Sequence, residues 1–211
     1  MAGRLIAGSS VTENCPMDGI GGGSPAGRRP RESLGETFMV RGAGDSTDQA
    51  FGFLTVCDAA GAGTFGGYLL VDHAGRPLEF HCTAPVRVTR AQEILYGATL
   101  QRQLHGEQIG GPLLKASTIA PVAVLTDRDS LLYARPHAAS PLAVVCATDE
   151  EPAAPPVDRF RLGSVVVRPH RDDASRADLL RDQLGALAEG IELTEPFARI
   201  REALEEAQRH S

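Results

Sequence analysis

Ala50-Phe51-Gly52-Phe53-Leu54-Thr55-Val56-Cys57-Asp58 is where the chain changes character. Its aromatic and β-branched residues read as a buried strand, with an aspartate at its end. Gly67–Asp72 is a second such run, His73-Ala74-Gly75-Arg76 supplies a turn, and Pro77–Cys82 reads as the partner strand. This arrangement predicts three sequential antiparallel strands.

Further along, Thr89 is placed to cap a helix, with Gln92 three residues on as the reciprocal partner of a capping box. That helix would carry Glu93, Ile94, Leu95 and Ala98, and Gly97, Gly106 and Gly110-Gly111 predict that it is short or broken. Pro121–Leu125 reads as a strand, Ser130–Arg135 as a helical turn and Leu142–Cys146 as another strand. Arg161–Arg168 is read as one more strand, and helices are expected at about 174–189 and 194–209. The second of these places Phe197, Ile200 and Leu204 on one face, a stripe suited to covering the protein's own core.

Upstream, residues 1–48 hold Gly21-Gly22-Gly23-Ser24-Pro25 and the cluster Arg28, Arg29 and Arg31, with little apolar periodicity. They are expected to form a disordered arm. The expected organisation is this arm, an α/β domain over 49–190 that contains an acidic Pro/Ala-rich linker at 149–157, and a C-terminal helix over 191–211.

With 211 residues and 42% hydrophobic content, the chain can bury a core. No run of about 18 apolar residues offers a membrane span, and the first residues lack a signal-peptide core, so a cytoplasmic location without membrane association is expected. Cys15, Cys57, Cys82 and Cys146 are far apart and show no Cys-x-x-Cys spacing, which argues against a zinc ribbon or a disulfide framework. The net charge of −6 opposes blanket attraction to nucleic acid, although metal cations at a carboxylate cluster would offset part of it. Gly61-x-Gly63-x-x-Gly66 is no dinucleotide loop, because a β-prone run follows where a helix is needed.

Four acidic residues fall in a telling order: Asp58 ending one apolar run, Glu93 opening a helix, Asp127 ending another apolar run and Asp178 within a later helix. Carboxylates at adjacent strand ends can hold two divalent cations, which polarise a phosphodiester and activate water. With Cys57-Asp58-Ala59-Ala60, Gly66-Gly67-Tyr68, Thr89-Arg90-Ala91-Gln92-Glu93, Leu125-Thr126-Asp127 and Pro169-His170 before Arg176-Ala177-Asp178, the chain resembles the ribonuclease H-like superfamily over about residues 51–188. The resemblance implies a mixed five-stranded sheet, its first three strands antiparallel, flanked by helices. It further implies Mg²⁺ or Mn²⁺ held by Asp58, Glu93, Asp127 and Asp178, with His170 moving protons or assisting product release. The implied reaction is endonucleolytic hydrolysis of an RNA–DNA hybrid or structured RNA, leaving 5′-phosphate and 3′-hydroxyl ends. The family's Gly-Ser after the first aspartate is Ala59-Ala60 here, and no Trp-containing basic handle is present.

Each of these residues has a plainer use. Asp58 can end a strand, Glu93 can complement a helix dipole, Asp127 can cap the turn before Ser130, and Asp178 and His170 can lie on a solvated surface. The competing function is therefore a non-catalytic α/β interaction or sensor module that docks a protein partner through the C-terminal helices or the Arg-rich arm.

Overall fold

In the computed structural model the described residues are 40–41, 49–59, 63–147 and 159–209. The arm apart from Val40 and Arg41, including Arg28, Arg29 and Arg31, and the linker at 149–157 lie outside them.

The apolar run from Phe51 becomes β2 (Phe51–Ala59), buried on both faces through Val56. A meander of β2, β3 (Gly63–Val71) and β4 (Pro77–Cys82) follows, antiparallel throughout. Asp72 shapes the β3–β4 turn by accepting the Ala74 and Arg76 backbone N–H groups, each at 2.9 Å, and Gly75 takes the positive φ of 75° that the turn requires.

The chain next crosses the sheet through α1 (Arg90–Tyr96), a π-helical stretch (Arg102–Gly110) and α2 (Gly111–Ala116). The Thr89–Gln92 capping box forms as expected, and α1 stops at Gly97. β5 (Ala123–Thr126) then pairs parallel with β2, and β6 (Leu142–Ala147) parallel with β5, with a 3-10 helix (Asp129–His137) between them. The result is an α/β domain with one mixed sheet of eight strands. Their order is β1 (Val40–Arg41), β4, β3, β2, β5, β6, β8 (Val165–Pro169) and β7 (Phe160–Leu162).

Three elements differ from the sequence reading. Val40–Arg41 (β1), placed in the arm, pairs with β4 and shields part of an edge whose backbone groups would otherwise stand open. The single strand expected over 161–168 is a hairpin of β7 (Phe160–Leu162) and β8 (Val165–Pro169), because Gly163 adopts a φ of 56° and reverses the chain. The next helix opens with a 3-10 turn (Arg171–Arg176) before α3 (Ala177–Gly190).

Helices cover both faces of the sheet. On one side Leu180, Leu184 and Leu187 of α3 and Phe197, Ile200 and Leu204 of α4 (Glu195–Arg209) bury against Phe51, Phe53, Leu69 and Leu125. The C-terminal helix thus belongs to the domain's own core. On the other side Leu104, Ile109, Leu113 and Leu131 pack on Leu54, Val56, Tyr68 and Val124. Gly66 and Gly67 sit between the two layers: a Cβ on Gly66 would collide with Ile109, and one on Gly67 with Ile200. This pair lets helices approach β3 from both sides, a packing reason for the Gly-Gly-Tyr motif.

Candidate functional site

The carboxyl ends of β2 and β5 are the edge at which the expected metal centre would stand. Asp58 lies near the end of β2, and Asp127 directly follows β5, the parallel neighbour. Register and pleat separate them. Leu54 is opposite Thr126, so Asp127 is level with Thr55 while Asp58 lies three residues further along. Successive side chains point to opposite faces of a sheet. Asp58 shares its face with Leu54 and Val56, under the π-helical side, whereas Thr55 shares the α4 side with Phe51 and Phe53.

Each carboxylate has its own partner. Asp127 accepts the Thr55 hydroxyl at 2.6 Å and the Arg201 guanidinium of α4. Asp58 accepts the Thr64 hydroxyl at 2.6 Å across the β2–β3 ladder. Glu93, in the first turn of α1, pairs with Arg90 at 2.7 Å. Asp178 in the first turn of α3 is 94% exposed and meets Arg181 at 3.1 Å. His170 caps the turn before α3, its Nδ1 accepting the Asp172 N–H at 3.2 Å. Among the described residues no three His, Cys, Asp or Glu side chains are grouped to hold a metal ion. In this structure the two strand aspartates thus lie on opposite faces of the sheet, and Arg201 occupies Asp127.

One further pair lies near this edge. His105 Nδ1 is 2.6 Å from the Ser130 hydroxyl, joining the π-helical stretch to the 3-10 helix. Burial holds the His105 pKa below its ordinary value; the Asp58 charge opposes that effect and the Arg128 charge adds to it. A serine nucleophile would need its histidine oriented by an acid. Asp58 bonds Thr64, and the His105–Ser130 bond ties two helical segments together.

The polar groups with the most developed surroundings were missed by the sequence reading. Glu79 of β4 is buried and gathers the hydroxyl of Ser117 at 3.0 Å, the N–H and hydroxyl of Thr118, and His81 Nε2 at 3.2 Å. Burial alone would raise its pKa, but these hydrogen bonds outweigh that and hold it at about 2. Asp173, also buried, receives two hydrogen bonds from Arg135 at 2.6 and 2.8 Å and the Leu142 N–H at 3.0 Å. Strand alternation could have revealed the first group, since Glu79 and His81 share a face of Pro77-Leu78-Glu79-Phe80-His81-Cys82. No local signal distinguishes Asp173 from Asp172.

The described surface carries one apolar concentration. α1 has no buried residue and presents Ile94 at 67%, Leu95 at 82% and Tyr96 at 38% exposure. No described helix is long and apolar enough to cross a membrane. The chain matches no protein-family model, and no curated protein matches it.

Proposed function

We propose that the chain is a non-catalytic α/β interaction module that docks a protein partner through α1. The run β4-β3-β2-β5-β6, with three antiparallel strands and two parallel to the first of them, supports a ribonuclease H-like scaffold. On that scaffold the acidic residues serve as local anchors instead of a nuclease centre.

The observation that carries this reading is α1 itself. A seven-residue helix is far below the length at which a helix persists alone in water. This one opens on a capping box, runs on through Gly97–Thr99 towards the π-helical stretch, and holds its two large aliphatic side chains out of the core. Adjacent exposed aliphatic and aromatic side chains on a preordered element suit a docking surface, since the partner gains apolar burial at little ordering cost.

A photo-crosslinking amino acid at position 95, with one at Leu179 of α3 as the control for an exposed leucine elsewhere, tests this in cells producing the protein. The expected result is one discrete protein adduct from position 95, absent from position 179 and lost when Ile94→Asp is added. Hydrolysis of a labelled RNA–DNA hybrid with Mg²⁺ or Mn²⁺, abolished by both Asp58→Asn and Asp127→Asn, would overturn the reading in favour of the nuclease.

A further inference from the structure

A pocket of about 170 Å³ opens at the opposite end of the sheet from Asp58 and Asp127, beside the start of β5. Its wall is largely apolar, formed by Leu114, Ile119, Pro121, Val124 and alanines, with the hydroxyls of Tyr68, Ser117, Thr118 and Ser140. Three of these hydroxyls are already engaged. Ser117 shares its one proton between Glu79 and the Ile119 carbonyl, Thr118 donates to Glu79, and Ser140 donates to the Pro121 carbonyl.

Tyr68 differs. Its side chain is 1% exposed, and among the described residues its hydroxyl has no hydrogen-bond partner. Yet the phenol oxygen is not a sealed, unpaired atom, so it keeps some access to solvent, and Tyr68 lines the pocket. The ring reaches there because β2 has a glycine beneath it: a Cβ on Gly52 would lie 2.5 Å from the phenol oxygen. His81 stacks on the ring at 6.5 Å between centroids and is itself bonded to Glu79, which fixes the phenol in place. The pocket therefore has an apolar wall and one preoriented polar group left to bind.

We infer that this pocket is a binding site for a small neutral molecule, apolar except for one hydrogen-bond acceptor such as a ketone, ester or ether oxygen, which the Tyr68 hydroxyl receives. Size sets the scale, since a cavity of about 150 Å³ holds a benzene molecule. Charge sets the class. Burial, reinforced by Glu79, pushes the Tyr68 pKa up, so the phenol stays a donor. The ionised Glu79 behind the wall disfavours an anion, and no acidic side chain lines the pocket to pair directly with a cation. This inference is independent of the docking reading, because neither α1 nor its partner takes part.

Cyclohexanone and benzene, as acceptor-bearing and acceptor-free probes, can be titrated into the full chain while the methyl signals of Val124, Ala138 and Ala139 are followed by NMR. Both probes should shift these signals, and Tyr68→Phe should weaken cyclohexanone by about fivefold, the worth of one hydrogen bond, while leaving benzene unchanged. Ala139→Leu, at the exposed rim, should weaken both without unfolding the protein. Absence of cyclohexanone shifts at these methyls, or equal cyclohexanone affinity in Tyr68→Phe and the parent, would overturn the inference.

Discussion

Replacing Asp127 separates the two functional readings by the sign of a stability change. In a metal centre, clustered carboxylates repel one another without cations, so removing one charge leaves the fold as stable or more so. Here Asp127 instead accepts from a fully buried Thr55 and from Arg201. Asp127→Ala strands the Thr55 hydroxyl, a loss of about 1–3 kcal/mol, whereas the partly exposed ion pair with Arg201 adds at most about 1 kcal/mol. Asp127→Asn keeps an oxygen for Thr55 and should cost about 1 kcal/mol. For a domain of this size these values correspond to a fall in Tm of about 4–8 °C for a 2 kcal/mol loss and about 2–4 °C for a 1 kcal/mol loss. Urea and thermal unfolding, each with and without excess Mg²⁺, measure both quantities. The reasoning fails if Asp127→Asn melts at or above the parent, or if Mg²⁺ stabilises the parent and not the variant.

Two other groups give independent outcomes. Glu79, held at about 2 in the folded state against an ordinary value of 4.5, stabilises the fold above pH 4.5. That contribution, on the order of 3 kcal/mol, is lost as pH falls from 4.5 towards 2. Urea midpoints across this range should therefore drop steeply for the parent and less steeply for Glu79→Gln, which starts lower at neutral pH; parallel curves would contradict it. Asp173→Ala should cost about 3 kcal/mol, because it leaves Arg135 without its buried partner and the Leu142 N–H unsatisfied, while the exposed Asp178→Ala should change unfolding free energy by less than about 0.5 kcal/mol.

Sequence alone determined the features whose causes are local. Apolar runs defined β2, β4, β5 and β6 to within a few residues, and Thr89 with Gln92 determined the start of α1, because strand burial and helix capping are decided within a few neighbouring positions. The α4 stripe of Phe197, Ile200 and Leu204 likewise announced a core-facing helix. The order of Asp58, Glu93, Asp127 and Asp178 was also legible, but their convergence was not. Whether two strand-end aspartates meet depends on inter-strand register and pleat, and a shift of one residue moves a side chain to the other face. Tertiary structure decided that Asp127 sits level with Thr55 beneath Arg201 while Asp58 turns to Thr64 on the opposite face. It also brought Glu79 to Ser117 and Thr118, and Asp173 to Arg135, across separations of 38 or 39 residues that no local pattern encodes. The free hydroxyl of Tyr68 depends on the same long-range assembly, since Gly52, the loop before β5 and the segment before β6 come together only when the sheet is complete.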